Sequence, residues 1–90
     1  MQYVTRNGWE IEFRKNIHMY YHSLKATKDG RTFDVPCEDT PGNFVGIWPY
    51  QLSLNAKESP ELFEALREWA SQSGLKYRLY KTREDYEAND

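Results

Sequence analysis

One cysteine, Cys37, is all this 90-residue chain carries, so no internal disulfide can close and the fold must rest on a packed core. No apolar run approaches the roughly 18 residues that a membrane-spanning helix needs. The opening MQYVTRNGWE has neither the basic nor the apolar region of a secretory leader, and a cytoplasmic protein is expected. Surplus positive charge is also lacking: Lys+Arg 12 against Asp+Glu 14 gives a formal charge of -2 and a pI near 5.7. That balance removes the bulk attraction to phosphate backbones and anionic lipid. There is no Gly-x-Gly-x-x-Gly, no glycine-rich loop ending in Lys-Ser/Thr and no Cys-x-x-Cys, so neither a nucleotide loop nor a zinc ribbon is written here. No cofactor or metal is expected.

What the chain has is enough to fold. Hydrophobic residues at 39% and charged residues at 29% are globular values, and aromatics reach 16%. Residues 1–82 read as one α+β domain, and residues 83–90, with Glu84, Asp85, Glu87 and Asp90, as a frayed acidic tail.

Two dipeptides set the turns. Asn7-Gly8 is suited to a tight turn with positive φ, and WEIEFR after it alternates at period two, so residues 2–6 and 9–14 form a hairpin. Its register is open: a two-residue loop sets Val4 opposite Ile11, and a three-residue loop with a bulge sets Tyr3 there. Either choice leaves Trp9, Ile11 and Phe13 on one face. At Asp29-Gly30 a two-residue loop pairs Lys28 with Arg31, Thr27 with Thr32, Ala26 with Phe33, Lys25 with Asp34 and Leu24 with Val35. A shift by one would set apolar residues against charges, which decides for this register. Pro36 then falls opposite Ser23 and leaves that edge unpaired.

Residues 37–43, CEDTPGN, read as a turn cluster, FVGIW as a short strand and YQLSL as an irregular one. Ser59 as N-cap, Pro60 at the first helical position and Gly74 past the end bracket a helix with Leu62, Phe63, Ala65, Leu66, Trp69 and Ala70 on one face. LKYRLYK alternates once more, with Leu75, Tyr77 and Leu79 inward and Lys76, Arg78 and Tyr80 outward. The fold class is α+β: an antiparallel-rich sheet of five or six strands, in the order β-β-β-β-β-α-β, with one amphipathic helix on one face. The opposite face carries Glu10, Glu12, Lys25, Thr27, Thr32, Asp34, Lys76 and Arg78, a mixed-charge ladder facing water.

The stretch HMYYHSLKATKDGRTFDVPC holds both histidines and the cysteine. Read as a strand, it separates His18 and His22 by about 13 Å, too far for one metal ion. The hairpin register brings Cys37 opposite His22, which admits a thiolate–imidazolium nucleophile or, more simply, a buried thiol beside a satisfied histidine. Tyr80 between Arg78 and Lys81, with Lys25 on the same face, offers a stacking platform for single-stranded nucleic acid, opposed by Glu10, Glu12 and Asp34. Phe44, Trp48 and Tyr50 offer a contact surface for a protein, since Trp and Tyr are the residue types that anchor interfaces.

By elimination, the expected function is a small non-enzymatic protein-binding module that occludes a macromolecular partner. Toxin-neutralising immunity proteins and phage-encoded inhibitors of host defence, anti-CRISPR proteins among them, have this form, without residue-level resemblance to any of them here. A single-strand nucleic-acid binder is the second reading and a Cys/His enzyme the third. The unpaired edge near Pro36 would also admit strand addition or homodimerisation on the part of the edge away from the proline.

Overall fold

The computed structural model describes residues 2–88, the side chains of Tyr86 and Ala88 excepted. Along the chain run β1 (Gln2–Val4), β2 (Glu10–Arg14), β3 (Ser23–Lys28), β4 (Arg31–Asp34), β5 (Cys37–Asp39) and β6 (Val45–Ile47). A 3-10 turn at Pro49–Gln51, α1 (Glu58–Ser73), β7 (Tyr77–Leu79) and α2 (Arg83–Ala88) complete it. The class is α+β as expected. The single sheet is corrected: the strands divide into a four-stranded antiparallel sheet, β1-β2-β3-β4, and a three-stranded mixed sheet, β5-β6-β7, in which β6 and β7 run parallel.

Both turns form where the glycines allow. Thr5 N–H donates to the Trp9 carbonyl at 2.8 Å and Gly8 N–H to the Thr5 carbonyl at 3.1 Å, with Gly8 at φ +87°. This is the longer, bulged loop, and it sets Tyr3 opposite Ile11. At the second turn Asp29 and Gly30 both have positive φ, and the pairs Lys28–Arg31, Thr27–Thr32, Ala26–Phe33 and Lys25–Asp34 are those read from the sequence. The tip of the first hairpin is pinned to the helix: Asn7 Nδ2 donates to the Glu61 carbonyl at 2.8 Å, and Lys28 bridges the Asn7 carbonyl and the Glu61 carboxylate.

Pro36 is where one sheet hands over to the other. The β3 register continues past it, with Val35 N–H on the Leu24 carbonyl at 2.8 Å, His22 N–H on the Cys37 carbonyl at 3.0 Å and an isolated bridge between Tyr21 and Glu38. Proline has no N–H to give, but its carbonyl accepts the Trp48 N–H at 2.9 Å. The edge expected to be unpaired at Pro36 is therefore engaged from that residue onward, and the open part is β4. The cluster read as a turn is corrected likewise, since its first three residues form β5 and the turn itself spans Thr40 to Phe44.

The helix starts earlier than Ser59. Asn55 Oδ1 accepts the Lys57 and Glu58 N–H groups at 3.0 and 2.7 Å, so the asparagine, not the serine, satisfies the first turn. Ser59 N–H donates to the Asn55 carbonyl at 3.1 Å, and Pro60, which has no N–H, follows it in the first turn of α1. At the other end Gly74, at φ +73°, closes the helix, with Leu75 N–H on the Ala70 carbonyl. Leu62, Ala65, Leu66, Trp69 and Ala70 are buried, and α1 packs against both β2 and β7, so one apolar face serves both sheets.

Two further expectations change. YQLSL holds the 3-10 turn and coil instead of a strand. The frayed tail is a short helix over Arg83–Ala88: Thr82 Oγ1 accepts the Asp85 N–H at 3.0 Å, Asp85 accepts the Lys81 N–H, and Arg83 pairs with Glu87. That reciprocal cap is legible in the sequence as Thr-x-x-Asp. Asn89 and Asp90 lie outside the described residues.

Candidate functional site: an exposed apolar loop

The residues singled out in the sequence go to different places. Val45 and Ile47 send their side chains to the core, so Gly46 and Trp48 share the other face of β6. The indole lies over the glycine: a Cβ at Gly46 would meet Trp48 Cη2 at 2.8 Å. Tyr80 stacks on it with ring centroids 5.7 Å apart and planes 20° apart. Trp48 is 9% exposed and Tyr80 3%. Both expectations of a surface role are corrected, because a strand face with no side chain at its centre is filled by the ring two residues on. Phe44 is half-buried beneath the Arg78 guanidinium, 5.0 Å from it, and Tyr50 is half-buried in the 3-10 turn.

No nucleic-acid platform is assembled from Lys25, Arg78 and Tyr80. Lys25 lies on β3, in register between Glu12 and Asp34, whereas Arg78 lies on β7 of the other sheet and Tyr80 has no open face for a base.

Cys37 and His22 do meet, through the backbone. The imidazole, 1% exposed, is committed on both nitrogens: Nδ1 accepts the Asn16 backbone N–H at 3.0 Å, which leaves Nε2 to carry the proton and donate to Asp39 Oδ1 at 2.8 Å. The edge of Phe13 closes the ring in at 5.5 Å. Burial pushes the Cys37 thiol up to about 12, with the Asp39 and Glu38 carboxylates adding to it. A protonated thiol beside an imidazole with no free nitrogen has none of the features of an activated nucleophile.

At pH 8 native protein should react with iodoacetamide far more slowly than protein unfolded in urea, read by mass spectrometry. The raised value also means that stability is complete at neutral pH. It declines as pH climbs from the ordinary thiol value of 9.0 toward about 12, where the unfolded chain has lost a proton that the fold retains.

The exposed apolar surface lies elsewhere. Between β2 and β3 the chain makes a loop over residues 15–21, and there Ile17 is 82% exposed, Met19 51%, Tyr20 64% and Tyr21 48%. Solvent-facing large side chains are ordinary when scattered; four within five positions are not. The loop is held at its base. Asn16 is tied to His22 through its N–H and accepts the His18 N–H on Oδ1 at 3.0 Å, while Asp39 N–H donates to the Tyr20 carbonyl at 2.6 Å. Asp39 thus grips the loop from β5 by backbone and side chain together. Tyr20 and Tyr21 set edge to face, 6.1 Å apart. Tyr21 divides two shallow grooves, one lined by Arg14, Lys15, Ile17 and His18, the other by Leu24, Val35, Pro36 and Glu38.

The strand expected over this stretch is instead a loop up to Tyr21, with β3 starting at Ser23. A signal was present: IHMYYH has no inside–outside period, since Met19, Tyr20 and Tyr21 follow one another and cannot all face one core.

Comparison with protein-family models, with curated proteins and with solved structures finds no match. Among the described residues no group of three or more His, Cys, Asp or Glu side chains is placed to hold a metal ion, and no helix is long and apolar enough to cross a membrane.

Proposed function

We propose that this chain is a non-enzymatic protein-binding module that works by covering a partner's surface, as a cytoplasmic inhibitor or immunity-type protein does, and that residues 15–21 make the contact. The supporting observation is the exposure of Ile17, Met19, Tyr20 and Tyr21 on a loop whose base is fixed by a buried histidine. Tyrosine brings a large rigid area with few rotatable bonds, and a loop already held in shape loses less entropy when it docks. Ile and Met supply apolar tips for a pocket on the partner. Trp48 serves as filler in this reading, while Phe44 and Tyr50 border the contact at most.

The test is capture of a partner from the native cytosol, followed by titration of the purified pair. The double variant Ile17→Ser/Tyr20→Ser should lower affinity about thirtyfold, the scale of an interface hot spot. Its melting temperature should stay within a degree or two, because both side chains stand in water. Unchanged affinity in that variant defeats the reading. So does strongly salt-dependent binding of single-stranded oligonucleotides that is lost on Arg78→Ala.

A further inference from the structure

Charge along the chain is uneven in a way that bears on what the loop touches. From Phe13 to Lys28 there is no Asp or Glu, and Arg14, Lys15, Lys25 and Lys28 fall in the same interval, in a chain whose net charge is -2. Lys28 is taken by Glu61 and Lys25 lies between two carboxylates of its sheet, which leaves Arg14 and Lys15 exposed at the rim of the loop. His18 is exposed beside them. The carboxylates facing this region are Asp39, whose Oδ1 takes the His22 Nε2–H, the half-buried Glu38, which pairs with Tyr21 through the backbone, and the exposed Asp34 in the groove beside Tyr21. The apolar crest thus has Arg14, Lys15 and His18 in the groove on one side of Tyr21, with Asp39 and Lys76 bordering Lys15 beyond them, and Asp34 and Glu38 in the groove on the other side.

We infer that the partner is a protein presenting an apolar pocket bordered by Asp or Glu side chains, with the pocket taking Ile17 and Tyr20 and the carboxylates meeting Arg14 and Lys15. The inference rests on the protein-binding reading and adds the partner's chemistry to it. A pocket rim need only reach Arg14 and Lys15. A polyanion or a charged bilayer would instead extend over Glu38 and Asp39, where like charge repels it. Arg14 and Lys15, with Lys76 bordering Lys15, are also fewer cations than the clusters that hold a protein on a charged bilayer, at about 1 kcal/mol each.

The experiment places a photo-crosslinking p-benzoylphenylalanine at Met19 of the full chain, irradiates it in the native cytosol and identifies the attached molecule by mass spectrometry. The expected product is a peptide from a folded protein with Asp or Glu beside the attachment point. With that protein purified, Arg14→Glu/Lys15→Glu should lower affinity about tenfold and flatten its salt dependence, and Asp/Glu→Lys at the crosslinked rim should restore it. A protein crosslink whose affinity ignores the charge reversal overturns the acidic pocket while leaving protein binding in place. Attachment only to lipid or nucleic acid, or to nothing, overturns both.

Discussion

His22→Ala should destabilise the fold by about 3 kcal/mol and release the contact loop. The figure combines two losses: a hydrogen bond to a charged carboxylate, and a half-buried backbone N–H at Asn16 left without its acceptor. Removing the ring also opens space against Phe13. The urea midpoint would register the stability change. Amide exchange separates the local part, since Asn16 and Asp39 should lose protection well beyond what the global shift explains. Gln at this position can still donate to Asp39 and should fall between the two. A midpoint shift equivalent to less than about 1 kcal/mol would show that His22 is replaceable filler. The same variant should weaken partner binding even though it touches none of Ile17, Met19, Tyr20 or Tyr21, because a freed loop must be ordered again on docking.

Gly46→Val should cost a similar amount, near the top of the roughly 1–3 kcal/mol usual for overpacking, and here sign matters more than size. Judged by strand preference alone the change is favourable, since valine suits a central strand and glycine weakens one. The geometry reverses that, because the new Cβ would stand 2.8 Å from Trp48 Cη2 and 3.0 Å from Cζ2, and the indole is already held by its stack on Tyr80. The ring can leave only by exposing itself. Tryptophan emission shifted to the red, with a urea midpoint lowered by the equivalent of about 3 kcal/mol, is the expected pair of results. A stabilised variant with unchanged emission would mean that the indole does not need the space over Gly46. Against a total stability of about 5–15 kcal/mol for a domain of this kind, either substitution removes a large share.

Local chemistry in the sequence went far where a single rule sufficed. Asp29-Gly30 and the charge matching of Lys25 with Asp34 fixed the second hairpin residue by residue, and the spacing of Leu62, Leu66 and Trp69 fixed the buried face of α1. It failed where distant segments meet. Nothing near Pro36 says that Trp48 will bond its carbonyl, and nothing in LKYRLYK says that β7 will lie parallel to β6, so the division into two sheets was hidden. Trp48 was misjudged for a related reason: its burial depends on a glycine on its own face and a tyrosine 32 positions on. The contact loop was overlooked because His22 looks like a strand residue or a catalytic one until Asn16 and Asp39 are seen on its two nitrogens.

The handover at Pro36 has a consequence for how such a chain behaves when crowded. Because β6 takes over the strand from that residue, the neighbouring length at the sheet margin is confined to Arg31–Asp34, with a charge at each end and the arginine held at 2.6 Å by Glu58. Fibre growth by stacked strands needs six or seven uncharged, sticky residues in succession. At this margin, then, a second copy finds no long uncharged strand on which to stack.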